Sequence, residues 1–267
     1  MGNSAPHKAR KRFGQHFLHD NNVIDKILRS IGITEGDNFL EIGPGQGALT
    51  FPLLTECKKL IAVELDRDLI PILEKKAQKF GELTLINADV LNFELNSLPG
   101  EKLYRVVGNL PYNISTPLMF HLLNSVARIQ DMHFMVQKEV AQRIVAEAGS
   151  QHYGRLSVMI QYQCKCQYLF DVGPGSFTPP PKVDSAIIRL LPRAQTEFEV
   201  GDIDLFSKIV QSAFGQRRKT ISNSLKPIVS GEIYEVTGIN KKLRAENLSG
   251  HDFAKLTRAV LERSTDV

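Results

Sequence analysis

The chain has 267 residues, of which 42% are hydrophobic and 23% charged, a composition that is ordinary for a globular protein in solution. This length predicts one full α/β domain and a smaller second unit. No apolar run is long enough to span a bilayer, and the N-terminus lacks the apolar segment of a secretory signal, so we expect a cytoplasmic protein without membrane association.

Short apolar runs alternate with helical patterns between about residues 38 and 191. An amphipathic segment at 21–31 predicts a leading helix, and apolar residues spaced by three and four predict another over 69–80. Seven apolar runs predict strands: NFLEIG, KLIAVELD, LTLINAD, YRVVGN, MHFMVQ, QYLFDV and AIIRLL. This alternation is typical of an α/β, Rossmann-like fold, an open and mainly parallel sheet with helices on both faces. We expect this first domain to span residues 1–191.

The pattern changes after Pro192. The segment 204–225 carries one apolar stripe at helical spacing, from Leu205 to Phe214, and the segment 251–263 carries a second, from Phe253 to Val260. Strand-like alternation is absent from this part of the sequence. We therefore predict a small all-helical C-terminal domain over residues 192–267.

The charge distribution and the cysteine content indicate whether the chain binds nucleic acid or metal ions. The net charge is +4, and basic residues cluster near the N-terminus and at Arg217, Arg218 and Lys219. Such clusters favour contact with nucleic-acid phosphates, although a solvated tail and helix face produce the same pattern. The three cysteines lack the spacing of a zinc site, so we expect reduced thiols and no metal.

A glycine-rich turn follows the first predicted strand of the sheet. Gly43, Gly45 and Gly47 let the backbone approach a ligand. Because Gly43, Gly45 and Ala48 also satisfy the dinucleotide fingerprint, a nicotinamide or flavin enzyme stays open as an alternative, as does a tight turn without a ligand.

Acidic residues stand at three consecutive strand ends. Glu41 precedes the glycines, where its charge repels a pyrophosphate and attracts a cationic amino-acid group. Glu64 is placed to bind the two hydroxyls of a ribose, and Asp89 to accept a hydrogen bond from an adenine amino group. Three carboxylates suit S-adenosylmethionine, a cationic nucleoside without phosphate, better than a dinucleotide.

The fourth strand ends in Asn109-Leu110-Pro111-Tyr112. The N6 amine of adenine is a poor nucleophile because its lone pair is delocalised into the ring. Two acceptors aimed at its hydrogens, the Asn109 side-chain oxygen and the Leu110 carbonyl, localise that lone pair. Pro111 holds the carbonyl outward and brings no competing donor, and Tyr112 offers a flat face for an extruded base. The tetrapeptide is thus predicted to clamp an exocyclic amine.

Nine ordered motifs together resemble the ribosomal RNA adenine N6-dimethyltransferase family, and more narrowly its small-subunit branch. They cover nearly the whole chain and read RFGQHFL, LEIGPGQGALT, VELD, NADVL, GNLPYNIST, MVQKEVAQR, YGRLSVMIQY, FTPPPKVDSAIIRL and AFGQRRKT. The resemblance implies an S-adenosylmethionine-dependent enzyme that dimethylates N6 of two adjacent adenosines in the 3′-terminal hairpin loop of small-subunit (16S) rRNA, within a precursor of the small subunit. We expect it to act as a monomer.

The resemblance also assigns residues to roles. The methyl donor's pocket is expected to be lined by His16, Leu18, Gly43, Glu64, Asp89 and Asn109, with Glu41 and Gly45 beside them. Phe177 is expected to be a second aromatic against the target base, opposite Tyr112. Lys138, Arg143 and the cluster at 217–219 are expected to contact RNA, which gives the C-terminal domain an RNA-binding role.

Two further interpretations stay open at this point. The macrolide-resistance branch methylates large-subunit rRNA with the same clamp, although NLPYNIS and FTPPPKVDSA favour the small-subunit branch. A non-catalytic ribosome assembly factor that retains the fold is the other alternative. The intact Glu64, Asp89 and clamp residues argue against it.

Overall fold

The computed structural model describes residues 15–216 and 218–265 of the chain. Its strands are β1 Phe17–Leu18, β2 Asn38–Ile42, β3 Lys59–Glu64, β4 Glu82–Asn87, β5 Tyr104–Asn109, β6 Ile129–Gln137, β7 Cys164–Val172, β8 Phe177–Thr178 and β9 Ser185–Pro192. Its α-helices are α1 Asn21–Ile31, α2 Thr50–Cys57, α3 Ile70–Ala77, α4 Ser115–Leu123, α5 Lys138–Val145, α6 Arg155–Gln163, α7 Ile203–Phe214, α8 Ile221–Ser224, α9 Gly231–Thr237 and α10 Gly250–Thr265.

Seven strands form one sheet in the order β4-β3-β2-β5-β6-β9-β7. The first five in this order pair in parallel, whereas β9 runs antiparallel to β6. Chain order reverses between β2 and β5, because β3 and β4 lie on one side and β6 on the other. Ligands of such sheets bind beyond the carboxyl ends of the strands at this reversal. The predicted Rossmann-like, mainly parallel sheet is confirmed.

One glycine sets the distance between the two central strands. Gly108 lies in β5, and a Cβ atom built on it would stand 2.6 Å from the backbone oxygen of Ile42 in β2. No side chain fits in that gap, so glycine lets the two strand ends come together. The next residue, Asn109, is thereby held beside the end of β2. Nothing in the sequence pattern had singled out Gly108.

A second, two-stranded sheet pairs β1 with β8 in antiparallel register, with Leu18 opposite Phe177. Both side chains are buried in the main hydrophobic core, together with Ile24 and Ile27 of α1. The pairing carries the segment that contains His16 onto the proline-rich loop after Phe177. Strands of two residues have no periodicity that a sequence pattern can detect, and this sheet was not predicted.

The leading helix is confirmed over its predicted range. Asp20 caps α1 by accepting hydrogen bonds from two backbone amides of its first turn, and Gly32 ends it in the left-handed conformation at φ +61°. These are the usual polar start and glycine stop of a helix. The helix predicted over 69–80 is shorter, and runs from Ile70 to Ala77.

The described residues divide into two compact units. The first takes those up to Ala141 together with Gln167–Pro192, and the second takes Gln142–Cys166 together with those from Arg193 onward. The predicted division lay at residue 192 alone, because the sequence of α6 has nothing that links it to the C-terminal helices. In the second unit, however, Tyr162 of α6 packs its ring against Phe198 and Phe206.

The stripe within 204–225 predicted a helix through its last apolar residue, Phe214, and the structure forms that helix as α7. α7 ends at Phe214 and α8 begins at Ile221, so Arg218 and Lys219 lie in the turn between two helices rather than on a helix face. The apolar stripe that predicted α7 is buried, at Phe206, Ile209, Val210 and Ala213. The second predicted helix is confirmed as α10.

Candidate active site

A cavity lies where the carboxyl ends of β2, β3 and β5 meet. It is lined by every residue predicted for the donor pocket: His16, Leu18, Glu41, Gly43, Gly45, Glu64, Asp89 and Asn109. Leu110, Pro111 and Tyr112 line the same cavity. The tetrapeptide and the three acidic strand ends therefore share one site, as expected from the sequence.

The glycine turn has a backbone that other residues rarely adopt. Gly43, Gly45 and Gly47 have φ values of +65°, +57° and +90°, in the region that favours glycine. A Cβ atom on Gly45 would stand 3.3 Å from the ring of Phe17, and one on Gly47 would stand 2.2 Å from the ring of Phe51. The glycines are thus required both by conformation and by close packing.

Glu41 is the most unusual group in the cavity. Its side chain is 2% exposed, and its Oε2 atom has no hydrogen-bond partner among the described residues. Burial raises the pKa of Glu41 to about 8, against the opposing effect of the nearby Thr50 side chain and with added repulsion from Glu64. A buried carboxyl group with an unpartnered oxygen is suited to a cationic ligand that enters the cavity.

Glu64 ends β3 and is also buried. Its Oε2 accepts a hydrogen bond from the amide of Gly45 at 3.1 Å, and its Oε1 accepts one from the amide of Asp66 at 2.8 Å. Burial raises the pKa of Glu64, while these backbone hydrogen bonds act to lower it. The two amides fix the orientation of the carboxylate and couple it to the glycine turn. Each oxygen keeps acceptor capacity for a ligand hydroxyl.

Asp89 follows β4 in a short turn. Its Oδ1 accepts a hydrogen bond from the amide of Leu91 at 3.0 Å, and its Oδ2 accepts one from Asn92 Nδ2 at 3.3 Å. The Asp89 carboxylate is therefore held in place by its own turn.

Asn109 ends β5, and its amide group is oriented by a long-range contact. Its Nδ2 donates to the backbone oxygen of His16 at 3.0 Å. Because the nitrogen is used in this bond, the Oδ1 atom is left to accept from a ligand. This orientation is the one that the predicted clamp requires.

His16 is fixed on both of its sides. Its Nδ1 makes a 2.7 Å hydrogen bond with the backbone oxygen of Pro179, and its ring stacks on Tyr112 with centroids 5.6 Å apart. A carbonyl oxygen only accepts, so Nδ1 carries the proton. This contact between distant segments fixes the ring orientation of His16 and could not be read from the sequence.

Tyr112 is half-buried, and its hydroxyl makes a 2.8 Å hydrogen bond with Ser185 Oγ. The amide of Leu110 donates to the backbone oxygen of Met135 in β6. Together with the stack of Tyr112 on His16, these contacts hold the tetrapeptide in place at the carboxyl end of β5.

Phe177 does not lie where the family resemblance places it. It is 3% exposed, belongs to the hydrophobic core, and is not among the residues that line the cavity. In this conformation the Phe177 ring packs in the same core as Leu18, its partner in the β1–β8 pairing.

The predicted RNA contacts fall in both units. In the first, Lys138 forms an ion pair with Asp171 at 2.5 Å. In the second, Arg143, Arg218 and Lys219 are exposed. Arg217 lies outside the described residues.

Several cavity residues were not predicted, among them Gln15, Gln46, Val90, Asn113 and Ile114. Each lies within a motif that was recognised, so membership of the motif was the available signal. The described residues contain no group of three or more His, Cys, Asp or Glu side chains placed to hold a metal. The cysteines are free thiols, and no described helix is long and apolar enough to cross a membrane.

The fold and this cavity define a Rossmann-like methyltransferase, and the comparisons with known proteins agree. The family model described as ribosomal RNA adenine dimethylase matches residues 6–261. The chain belongs to that family. A nicotinamide or flavin enzyme is thereby excluded.

Curated relatives match over nearly their full lengths. A Ribosomal RNA small subunit methyltransferase A of Pseudomonas fluorescens (strain Pf0-1) is 53% identical over 258 residues, 96% of this chain and 95% of the relative. One of Coxiella burnetii (strain RSA 493 / Nine Mile phase I) is 52% identical over 248 residues, 93% of this chain and 96% of the relative.

Solved structures agree in fold. A dimethyladenosine transferase from Plasmodium falciparum is 28% identical, covers 93% of this chain and 98% of its own, and has a TM-score of 0.81. The 23S rRNA methyltransferase ErmE is 24% identical, covers 91% of this chain and 99% of its own, and has a TM-score of 0.71. The second likeness supports the fold alone.

Proposed function

We propose that this protein dimethylates N6 of two adjacent adenosines in the 3′-terminal hairpin loop of small-subunit rRNA, with S-adenosylmethionine as the methyl donor. Relatives that are 52% and 53% identical to this chain are named small-subunit methyltransferases. This favours small-subunit rRNA over large-subunit rRNA as the substrate. The observation that carries the chemistry is the orientation of Asn109, whose nitrogen is used by His16 and whose oxygen is left for the substrate.

The residues of the cavity fit such a donor. Glu41 is a buried, partly unpartnered carboxyl group that suits an ammonium group, and Glu64 presents a carboxylate held by two amides that suits ribose hydroxyls. Asp89 would accept from the adenine amine of the donor. When bound, S-adenosylmethionine supplies an electrophilic methyl group on a sulfonium.

The chain's own residues prepare the target amine. Asn109 Oδ1 and the Leu110 carbonyl accept from its two hydrogens, which localises the nitrogen lone pair. Tyr112 supports the extruded base by stacking, as aromatic side chains do with flipped bases. The charged product loses its proton readily, so no side chain has to act as a general base.

The decisive experiment uses purified small-subunit rRNA particles that lack the modification. Incubation with the protein and S-adenosylmethionine should add four methyl groups to the terminal hairpin, two on each adenosine, as read by mass spectrometry of the excised fragment. Large-subunit rRNA serves as the control substrate. Methyl transfer to the large-subunit RNA alone would move the chain to the macrolide-resistance type of activity.

A non-catalytic assembly role is the second candidate. It would be favoured if calorimetry detected no binding of S-adenosylmethionine to the purified protein. The full set of cavity residues argues against it.

The remaining assignments are parts of the same proposal. Arg217, Arg218 and Lys219 would contact RNA from the C-terminal domain at 192–267 and Arg143 would do so from α5, while the domain at 1–191 would carry the chemistry. Lys138 would first have to leave Asp171. We propose that the protein acts as a monomer in the cytoplasm on a precursor of the small subunit, with Phe177 reaching the base only if it leaves the core.

Glu41 gives the donor-free protein a characteristic pH dependence. Its folded pKa is about 8 against an ordinary value of 4.5, so between these values the folded state retains a proton that the unfolded state has lost. Glu41 therefore destabilises the fold increasingly as pH rises through this range, by up to about 1.4 kcal/mol per pH unit. We expect Glu41→Gln to match the wild type near pH 5 and to be clearly more stable at pH 8.5, in urea unfolding.

Glu82→Gln is the matched control, because Glu82 is exposed and forms a surface ion pair with Lys59. It should leave the pH dependence unchanged. The same Glu41 variant should bind S-adenosylmethionine more weakly by calorimetry. A stability difference that stays constant from pH 5 to pH 8.5 would contradict the burial argument.

A further inference from the structure

A second groove opens on the first unit beside the candidate active site. It has a volume of about 860 Å³ and lies between β1, the glycine turn, α2 and α3. Leu18, Gln46 and Ala48 line both this groove and the active-site cavity. These three residues therefore form the shared boundary that a ligand occupying both the groove and the cavity would cross.

The floor of the groove is aromatic. Phe51 and Phe80 stack with ring centroids 5.1 Å apart and an interplanar angle of 27°. Phe80 remains 38% exposed, and Phe51 is kept in place because Gly47 has no side chain to obstruct its ring. An exposed, prearranged ring offers a π face to a flat ligand.

The rim of the groove is cationic. Lys75, Lys76 and Lys79 line it from α3 and the turn that follows, and all three are exposed. Lys76 Nζ stands 5.8 Å from the centroid of the Phe51 ring. Across residues 15–216 and 218–265, no ion pair joins these lysines to a carboxylate, in contrast to Lys59 and Lys138. Three ammonium groups without an ion pair among the described residues therefore lie along one side of an aromatic floor.

Aromatic faces beside uncompensated cations are the features with which proteins bind single-stranded nucleic acid, by stacking of bases and neutralisation of phosphates. We propose that this groove binds an unpaired nucleotide of the RNA next to the adenosine that enters the active site. The inference rests on the proposed function for the identity of the RNA. The groove fixes the strand on one side of the target, while the clamp holds the target itself.

Other occupants fit the groove less well. The basic N-terminal segment, with Lys8, Arg10, Lys11 and Arg12, would be repelled by the three lysines. An acidic protein segment would satisfy the lysines but would leave the aromatic floor without a stacking partner. Of these occupants, a nucleotide is the one in which each repeating unit supplies both an anion and a flat ring.

The test measures binding of a fluorescein-labelled ten-nucleotide oligouridylate to the full chain by anisotropy over a range of salt concentrations. The variant Lys75→Gln/Lys76→Gln/Lys79→Gln should reduce the slope of log K against log salt by about 2, because each phosphate that a lysine neutralises on a single strand adds roughly 0.7 to that slope. Phe80→Leu should weaken binding about tenfold, and Phe80→Tyr should restore it.

The matched control is Lys102→Gln/Lys165→Gln/Lys255→Gln, which removes the same charge from exposed lysines outside the groove. Equal salt slopes for the two triple variants would overturn the proposal. So would equal competition by a polyglutamate peptide of the same charge as the probe, since that ligand lacks bases. Methyl transfer is assayed separately: if the wild type transfers no methyl group while the groove variants still bind RNA more weakly, only the proposed function fails.

Discussion

Asn109→Ala is expected to abolish methyl transfer in a protein that still folds. The substitution removes the Oδ1 acceptor from the target amine, which leaves the nitrogen lone pair delocalised into the ring. Removal of one prearranged polar group at a reacting centre typically lowers kcat by about 10²- to 10³-fold. Asn109 is only partly buried, so the fold should tolerate the truncation.

Binding and turnover have to be measured together, because Asn109 has a second role. Its Nδ2 donates to the backbone oxygen of His16, so the variant also frees the segment that carries His16. Donor affinity, measured by calorimetry, should fall much less than single-turnover methyl transfer to the rRNA particle. RNA affinity should stay at the wild-type value.

Asn109→Asp is the informative companion variant. It keeps an acceptor oxygen of the same size but loses the donor to His16, since a carboxylate does not donate. We expect partial activity that is limited by donor affinity. If Asn109→Ala turned over at the wild-type rate, the clamp mechanism would be refuted, and the amine would have to be activated by another group.

The central strands and their ends were predictable because each depends on local signals. β2, β3, β5 and β6 are short apolar runs. When such a run ends in a polar residue, this residue lies at the carboxyl end of a strand, where ligands of parallel sheets bind. Glu41, Glu64 and Asn109 were found in this way, and the structure brings them into one cavity. The resemblance to a known family then added His16 and Leu18, which no strand pattern indicates.

What was missed depends on contacts between distant segments. Gly108 reads as an ordinary glycine until the carbonyl of Ile42 is placed against it. Phe177 reads as a free aromatic beside a proline loop until β8 pairs with β1. Arg218 and Lys219 read as part of a solvated helix face until the turn between α7 and α8 is seen. In each case the deciding neighbour lies far away in sequence or outside the periodic signal.

Arg105 is the clearest case of a group whose importance appears only in the folded chain. It lies in β5 and is 4% exposed. All five of its N–H groups are used: two on the carboxylate of Asp131, one on Asp37, and two on backbone oxygens at the end of α1. One side chain therefore ties α1 to the central sheet.

Arg105→Met is expected to cost about 3–5 kcal/mol in the free energy of unfolding, because it leaves Asp131, only 2% exposed at its side chain, without its bidentate partner. Arg189 reaches Asp131 through a single contact of 3.2 Å, and burial lowers the pKa of His133 to about 4, so that ring is neutral at pH 7. Neither neighbour replaces a guanidinium with five satisfied donors. Urea unfolding followed by circular dichroism gives the difference.

Lys59→Met supplies the control that separates burial from pairing. Lys59 and Glu82 approach as closely as 2.8 Å, yet their side chains are 79% and 65% exposed, so solvent screening should leave this pair with little effect on the free energy of unfolding. Combining Arg105→Met with Asp131→Asn should recover part of the stability, because the unpaired charge is then removed. Equal effects of Arg105→Met and Lys59→Met would mean that the five buried hydrogen bonds add nothing beyond a surface contact, and the attachment of α1 would have to depend on its apolar face alone.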